Sequence, residues 1–249
     1  EEMSEVIAQI PYLKRRFLLS ATDAPAIPRF VSEGDFLKLN FLEDEEQIPE
    51  RIKVYTVKSP EKDKLEVLSK LLCYLGDKSS LVFVNYRESV ERVYRYLLQA
   101  GISCEMFHGG MEQKDRERAL YKFSNGSCNV FVSTDLAARG LDIPNIDHVI
   151  HYHLPLNEDA YIHRNGRTAR WDASGNVFLI LGPEEYLPEF IQQIPEDYVW
   201  EGPKPDPAKP QWVTLYIGKG KKDKINKVDI VGFLSKVGGL GKSDIGRID

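Results

Sequence analysis

The stretch NVFVSTDLAARGLDIP, residues 129–144, places a short apolar strand directly before a polar loop. Val130, Phe131 and Val132 give its first part the β-branched and aromatic composition of a buried strand. The loop holds a threonine, two aspartates, an arginine and a glycine, and a threonine hydroxyl with backbone N–H groups can bind a phosphate oxygen. Capping of a short helix by Thr134 or Asp135 explains one of these residues but not the whole set. We therefore expect a phosphate- or ribose-binding loop at the end of a buried strand.

Working outward, similar apolar strands alternate with segments of helical spacing. Strands are predicted at 52–57, 81–84, 102–107, 129–133, 148–154 and 176–181, and helices at 86–99, 113–123 and 158–170. In the tail, a strand is predicted at 213–218, a helix at 226–237 and the start of another strand at 244–249. This alternation predicts an α/β fold, a parallel sheet with helices on both faces. Function in such sheets collects at the carboxyl ends of the strands. The loops after these ends are therefore the candidate sites.

Two of these loops carry polar residues that are ambiguous when taken singly. In HGGMEQKDRERAL, residues 108–120, two adjacent glycines permit close approach of another backbone, and Gln113 and Arg116 share a helix face. An ordinary turn followed by a solvated helix is the favoured interpretation for each residue taken singly. Asn85 and Arg87, which follow the strand at 81–84, are open to the same two interpretations.

A cationic cluster lies in YIHRNGRTAR, residues 161–170. If the segment is helical, His163, Arg164, Arg167 and Arg170 share one face at spacings of three and four. Arginines this close repel one another, and the planar guanidinium suits carboxylates and phosphates. A solvated arginine face is the alternative, weakened by the position beside a strand–loop boundary. We expect Arg167 and Arg170 to face solvent or to be held by anions and carboxylates.

Composition and charge describe an ordinary globular chain with a basic tail. The 249 residues are 42% hydrophobic and 29% charged, with a net charge of −5. From Pro203 onward, however, there are ten Lys and Arg against five Asp and Glu, which favours an anionic partner as much as a solvated surface. Three separated cysteines, no apolar run of about 18 residues and no signal peptide predict a cytoplasmic protein with no membrane contact.

These motifs together resemble those of DEAD-box RNA helicases. TDLAARGLDIP and YIHRNGRTAR are similar to motifs V and VI, HGGMEQKDR to the region of motif IVa, LVFVNYRES to motif IV and FLLSAT to motif III. VTLYIGKGKKDK is similar to the start of a DbpA-type RRM-like RNA-binding domain. The resemblance implies a RecA-like sheet plus a small α+β RRM-like module. It divides the chain into the end of a first RecA-like domain with the interdomain linker (1–44), a second RecA-like domain (45–201), a Pro-rich linker (202–211) and a truncated RNA-binding domain (212–249).

The resemblance also implies an ATP-dependent RNA helicase that unwinds or remodels duplexes, with roles for named residues. Arginine fingers toward the γ-phosphate would be Arg167 and Arg170, while His163 and Arg164 would bridge to acidic and motif III groups of the first domain. Nucleotide-site residues would be Arg139, Gly140 and Asp142. The RNA backbone track would comprise Asn85, Arg87, Gly109, Gly110, Gln113, Arg116 and Thr134. Ser20 and Thr22 would couple hydrolysis to strand separation.

Partners and cofactors are implied by the same resemblance. The partners would be RNA, with ribosomal RNA indicated by the type of tail, and the first RecA-like domain of the same protein. Such helicases read backbone and shape, which fits the lack of an aromatic platform in these loops. No G-x-x-x-x-G-K-[ST] occurs, and GGLGKS (238–243) fits a helix C-cap better. We therefore expect ATP and Mg²⁺ to be anchored mainly by the first domain, and this chain alone to be inactive as an ATPase.

This sequence departs from the family pattern at two positions. Asn165 stands where an aliphatic residue is common in the family, and Trp171 where glycine is common. A zinc site at His148, His151 and His153 is disfavoured because no cysteine lies close in sequence. Two other functions compete with the helicase: a RecA-like module that binds RNA or a partner without chemistry, and a DNA-directed superfamily 2 helicase.

Overall fold

The computed structural model describes residues 52–138, 146–168, 174–192 and 194–248, together with a few positions before residue 40. The chain divides into two compact units, Glu1–Gln47 and Ile48–Asp249. In the first unit only scattered positions are described, and Ser20 and Thr22 lie outside them. The strands and helices named below all belong to the second unit.

A seven-stranded parallel sheet forms the centre of this unit. Its strands, in chain order, are β1 (Ile52–Lys58), β2 (Ser80–Phe83), β3 (Cys104–Phe107), β4 (Val130–Ser133), β5 (His148–His151), β6 (Gly175–Leu181) and β7 (Glu196–Asp197). In space they run β3-β4-β2-β5-β6-β1-β7. In register, Ser80 of β2 lies between Val130 of β4 and His148 of β5, so the three strands end at the same edge. The six strands predicted between residues 52 and 181 are confirmed, with shifted ends.

Helices cover both faces because the strands are apolar on both. The helices of the unit are α1 (Leu65–Leu75), α2 (Arg87–Gln99), α3 (Gln113–Ser124), α4 (Asp135–Ala138), α5 (Glu158–Asn165) and α6 (Lys227–Lys236). Leucines of α1 and valines of α2 pack on one face of the sheet, whereas α3, α4 and α5 pack on the other. This arrangement confirms the α/β, RecA-like prediction. No helix in the part of the chain that the structure describes is long and apolar enough to span a membrane.

Helix α5 ends earlier than its sequence pattern predicts. Asn157 caps its start by accepting a hydrogen bond from the backbone N–H of Ala160 at 2.8 Å. The helix ends at Asn165 because Thr168 pairs with Ile146 as an isolated parallel bridge. The hydroxyl of Thr168 also donates to the carbonyl of Ile146. The prediction that His163, Arg164, Arg167 and Arg170 share one helical face is therefore wrong for Arg167, which lies after the end of the helix.

The tail corrects a second prediction. Residues 213–218, predicted to be a strand, form none, and none begins at 244–248. A strand needs neighbours, and within the described tail nothing runs beside this segment. The hydroxyl of Thr214 lies instead 2.8 Å from that of Ser127 and 3.0 Å from Nδ2 of Asn125. The helix predicted in the tail is present as α6. After its last turn, the backbone N–H of Gly238 donates to the carbonyl of Phe233 at 3.2 Å, as expected of a C-cap.

Candidate functional site

A buried arginine joins the ends of three strands at the carboxyl edge of the sheet. The side chain of Arg164 is 0% exposed, and its Nε and Nη2 donate to the two oxygens of Asp135 at 2.6 and 2.7 Å. Nη2 also donates to Oδ1 of Asn85 at 2.8 Å, and Nη1 to the carbonyl of His153 at 2.7 Å. Asn85 follows β2, Asp135 follows β4 and His153 follows β5. The guanidinium therefore fixes three loops against one another.

These contacts change the role expected of Arg164. The resemblance implies that it bridges to acidic groups of the first domain, but the described acidic partner is Asp135, in the same domain. A buried guanidinium requires such compensation, since an unpaired charge in the interior is costly. We therefore regard Arg164 as a residue that positions the site.

His151 extends this network into the core. Its Nδ1 lies 3.3 Å from Nη1 of Arg164, and its Nε2 lies 2.9 Å from Oδ1 of Asn165. Because arginine only donates, Nδ1 must accept and the proton must be on Nε2, which donates to Asn165. Asn165, which departs from the family pattern, is thus the buried acceptor for this imidazole.

The same environment makes stability depend on pH through His151. Burial, and next the charge of Arg164, lower the pKa of His151 from 6.5 to about 3. The folded protein therefore excludes a proton that the unfolded chain binds between about pH 6.5 and 3, so this contribution to stability is lost as pH falls below 6.5. From pH 7 to pH 5, this one residue should lower the free energy of unfolding by about 2 kcal/mol.

Urea denaturation of wild type and His151→Gln at pH 7 and pH 5 measures this contribution. The variant should lose less stability between the two pH values than wild type does. Burial also lowers the pKa values of His148 and His153, so the difference between the two proteins is the informative quantity. Equal losses in both proteins would contradict the assignment.

Beside the buried arginine lies a shallow depression open to solvent. Its lining residues are Phe83, Asp135, Ala138, Ala160, His163, Arg164 and Arg167. His163 and Arg167 are both half-buried. The structure thus brings three of the four residues of the cationic cluster to one place. Arg170 and the predicted nucleotide residues Arg139, Gly140 and Asp142 lie outside the described residues.

A second basic feature lies at the same edge, where β2 and β3 end. A Cβ at Gly109 would lie 3.3 Å from Nη2 of Arg87, and one at Gly110 would lie 3.2 Å from Nδ1 of His108. Gly109 therefore allows the guanidinium of Arg87 to approach the loop backbone, whereas Gly110 leaves room for the imidazole of His108. Arg116 packs over the ring of Phe107 with its guanidinium carbon 4.7 Å from the ring centroid.

The other residues of the predicted RNA track make hydrogen bonds within the domain. Gln113 bonds Glu117 at 2.9 Å and Arg116 at 3.4 Å on the exposed face of α3. The carbonyl of Thr134 accepts the first hydrogen bond of α4, from Ala138, which favours the capping interpretation for its backbone. The side-chain amide of Asn85 is occupied by Arg164 and the carbonyl of Leu154. Asn85 thus shapes the loop rather than offering a free amide.

Sequence reasoning missed Asp135, His151 and His153 as members of the site. The sequence indicated Asp135 only as a capping residue, and the histidines only as members of a disfavoured zinc site. The available signal was a polar side chain inside an otherwise apolar strand, which needs a buried partner. The identity of that partner, Arg164, could not be read from spacing.

Comparisons with known proteins give matches to two protein families. Residues 63–172 match the helicase conserved C-terminal domain family, and residues 214–249 match the DbpA RNA binding domain. The chain is 32% identical over 256 residues to an ATP-dependent RNA helicase DbpA of Escherichia coli and 28% identical over 284 residues to one of Bacillus subtilis. Both alignments cover 100% of this chain but only 56% and 58% of the relatives, so the chain spans little more than half their length.

Solved structures give the same result. The E. coli DEAD-box protein SrmB, bound to the regulator RraA, matches with a TM-score of 0.54 and 32% identity, covering 64% of this chain and 98% of that one. Dbp5 of S. cerevisiae bound to RNA and ADP BeF3 matches with a TM-score of 0.63 and 27% identity, covering 74% and 49%.

Proposed function

This chain belongs to the DEAD-box family of ATP-dependent RNA helicases, and we propose that it supplies one half of a composite site for ATP and RNA. The observation that carries the proposal is the presence of two basic features at one sheet edge. Arg167 and His163 border the depression beside Asp135, and Arg87 crosses the Gly109–Gly110 loop. Both features suit phosphates, and the Arg164 network holds the intervening loops in place.

For ATP, the depression suits the terminal phosphate rather than the whole nucleotide. Its half-buried polar side chains, His163 and Arg167, carry donors of the kind that stabilise charge on a transferring phosphoryl group. The carboxylate of Asp135 is occupied by Arg164 and is not available to Mg²⁺. No metal-binding cluster occurs among the described residues. We infer that Mg²⁺ and most of the ATP contacts come from the first RecA-like domain.

For RNA, the proposed contact is to the phosphate backbone at Arg87, Gly109 and Gly110. The yeast relative was solved with RNA, and a second match is to an RNA binding domain in the basic tail. The backbone N–H of Gly110 donates to Nδ1 of His108 at 3.2 Å, so the proposed donor to phosphate is the guanidinium of Arg87, which binds the backbone without reading sequence. The tail would add affinity as a second contact.

Replacing Arg87 by glutamine should weaken binding of a labelled single-stranded RNA roughly tenfold, because one charge-assisted contact is lost. The slope of log affinity against log salt should fall in magnitude by about 0.7. Fluorescence anisotropy across a salt series measures both quantities. Arg95→Gln is the matched control, since Arg95 lies on the same helix, is exposed and pairs with Glu91 at 3.1 Å. Equal losses in the two variants would mean that general charge, not this site, binds RNA.

A further inference from the structure

An exposed tyrosine lies between two residues of the proposed RNA track. Tyr86 is 61% exposed and occupies the N-cap position of α2, with extended backbone at φ −127° and ψ 148°. Its neighbours are Asn85, fixed by Arg164, and Arg87, which crosses the glycine loop. The sequence indicated no aromatic platform in these loops, so an exposed aromatic ring at this edge of the sheet is unexpected.

The ring of Tyr86 is held from one side. It meets the imidazole of His153 edge-on, with ring centroids 6.1 Å apart and planes at 65°. The same imidazole accepts a hydrogen bond from the backbone N–H of Asn85 at 3.1 Å. Because His153 is fixed by its own backbone contact with Arg164, the ring has a rigid support. An ordered ring loses little conformational entropy when a ligand stacks on it.

We propose that Tyr86 is a stacking platform for one nucleobase of the RNA strand whose phosphates pass Arg87. The inference rests on the proposed RNA function and deepens it. Every base has an aromatic face, so such a platform binds without sequence preference, and the nearby guanidinium neutralises the adjoining phosphate. The base must be unstacked on one side, which favours a single strand or a strand end over duplex interior.

The test compares Tyr86→Ala, Tyr86→Phe and Tyr121→Ala on two RNAs. Tyr121 is the matched control because it is similarly exposed, at 51%, but lies near the C-terminal end of α3. One RNA is an ordinary single strand, and the other has the same backbone with abasic positions. On the ordinary strand, Tyr86→Ala should bind roughly tenfold more weakly, whereas the other two variants bind as wild type does. On the abasic strand, wild type and Tyr86→Ala should be equal.

The outcomes separate this inference from the function beneath it. Loss of affinity in Arg87→Gln without loss in Tyr86→Ala overturns the platform and leaves the RNA track standing. An equal loss in Tyr86→Phe and Tyr86→Ala means that the hydroxyl, not the ring face, makes the contact, and likewise overturns it. A Tyr86→Ala defect that persists on abasic RNA also does so. Absence of RNA binding by the wild-type chain removes both proposals. Equal urea midpoints for all variants confirm that none is merely unfolded.

Discussion

Replacing Arg167 by lysine in the complete helicase is expected to lower RNA-stimulated ATP hydrolysis about a thousandfold. Arg167 lies in the turn after α5 and borders the depression beside Asp135. A planar guanidinium can donate two parallel hydrogen bonds to a phosphoryl group, whereas an ammonium offers only a point charge. In related phosphoryl-transfer systems, a finger of this kind contributes about 10³- to 10⁵-fold in rate. The same expectation applies to Arg170, which lies outside the described residues.

Steady-state hydrolysis with saturating RNA measures this effect, and RNA affinity is the accompanying readout. Arg167→Lys should bind RNA as wild type does, because the finger acts on the phosphoryl group and not on the RNA track. Arg95→Lys, on the exposed face of α2, should change neither quantity. Hydrolysis by Arg167→Lys within threefold of wild type would show that this arginine is not a finger. RNA-stimulated hydrolysis by the chain alone would contradict the composite site itself.

The strands and their order along the chain could be predicted because each is a local pattern. Runs such as Leu81–Val84 are apolar on both faces, which only a sheet covered twice can satisfy. The ends of the strands and helices were harder to predict, because they depend on pairing partners elsewhere in the chain. Helical spacing continues past Asn165, but the bridge between Thr168 and Ile146 ends the helix there.

The location of the candidate site could be predicted from the sequence, but the hydrogen bonds within it could not. The strand ends predicted that these loops lie at one edge of the sheet, as the structure shows, since parallel strands carry their loops to the same side. Spacing alone could not separate Arg164, which is buried, from Arg167, which borders solvent. That difference is decided by Asp135, 29 residues away along the chain. The strand predicted at 213–218 is absent for a related reason: strand formation depends on neighbouring strands, which local propensity does not specify.

Replacing Arg164 by methionine is expected to lower the free energy of unfolding by about 4 kcal/mol, because it leaves the carboxylate of Asp135 without its buried partner. The change also removes donors from Asn85 and from the carbonyl of His153, so the loops after β2 and β5 lose their common contact. Arg164→Lys should recover only part of this loss, since an ammonium cannot pair both oxygens of Asp135 in parallel. Urea denaturation at pH 7 measures each value. Arg167→Lys, as the control, should change the free energy of unfolding by less than about 1 kcal/mol.

A double-mutant cycle with Asp135→Asn distinguishes a buried pair from two independent contacts. If the guanidinium and carboxylate stabilise each other, the double variant should lose less stability than the two single variants together, by about 1 to 3 kcal/mol. Additive losses, or a loss below about 1 kcal/mol for Arg164→Met, would contradict the positioning role. The two arginines should then separate by readout: Arg164 variants lose stability, whereas Arg167→Lys stays folded and loses hydrolysis. Arg164 pairs with a carboxylate inside the domain and Arg167, three residues later, borders the open depression. We therefore propose that the first arginine positions the site and that the second contacts a phosphate.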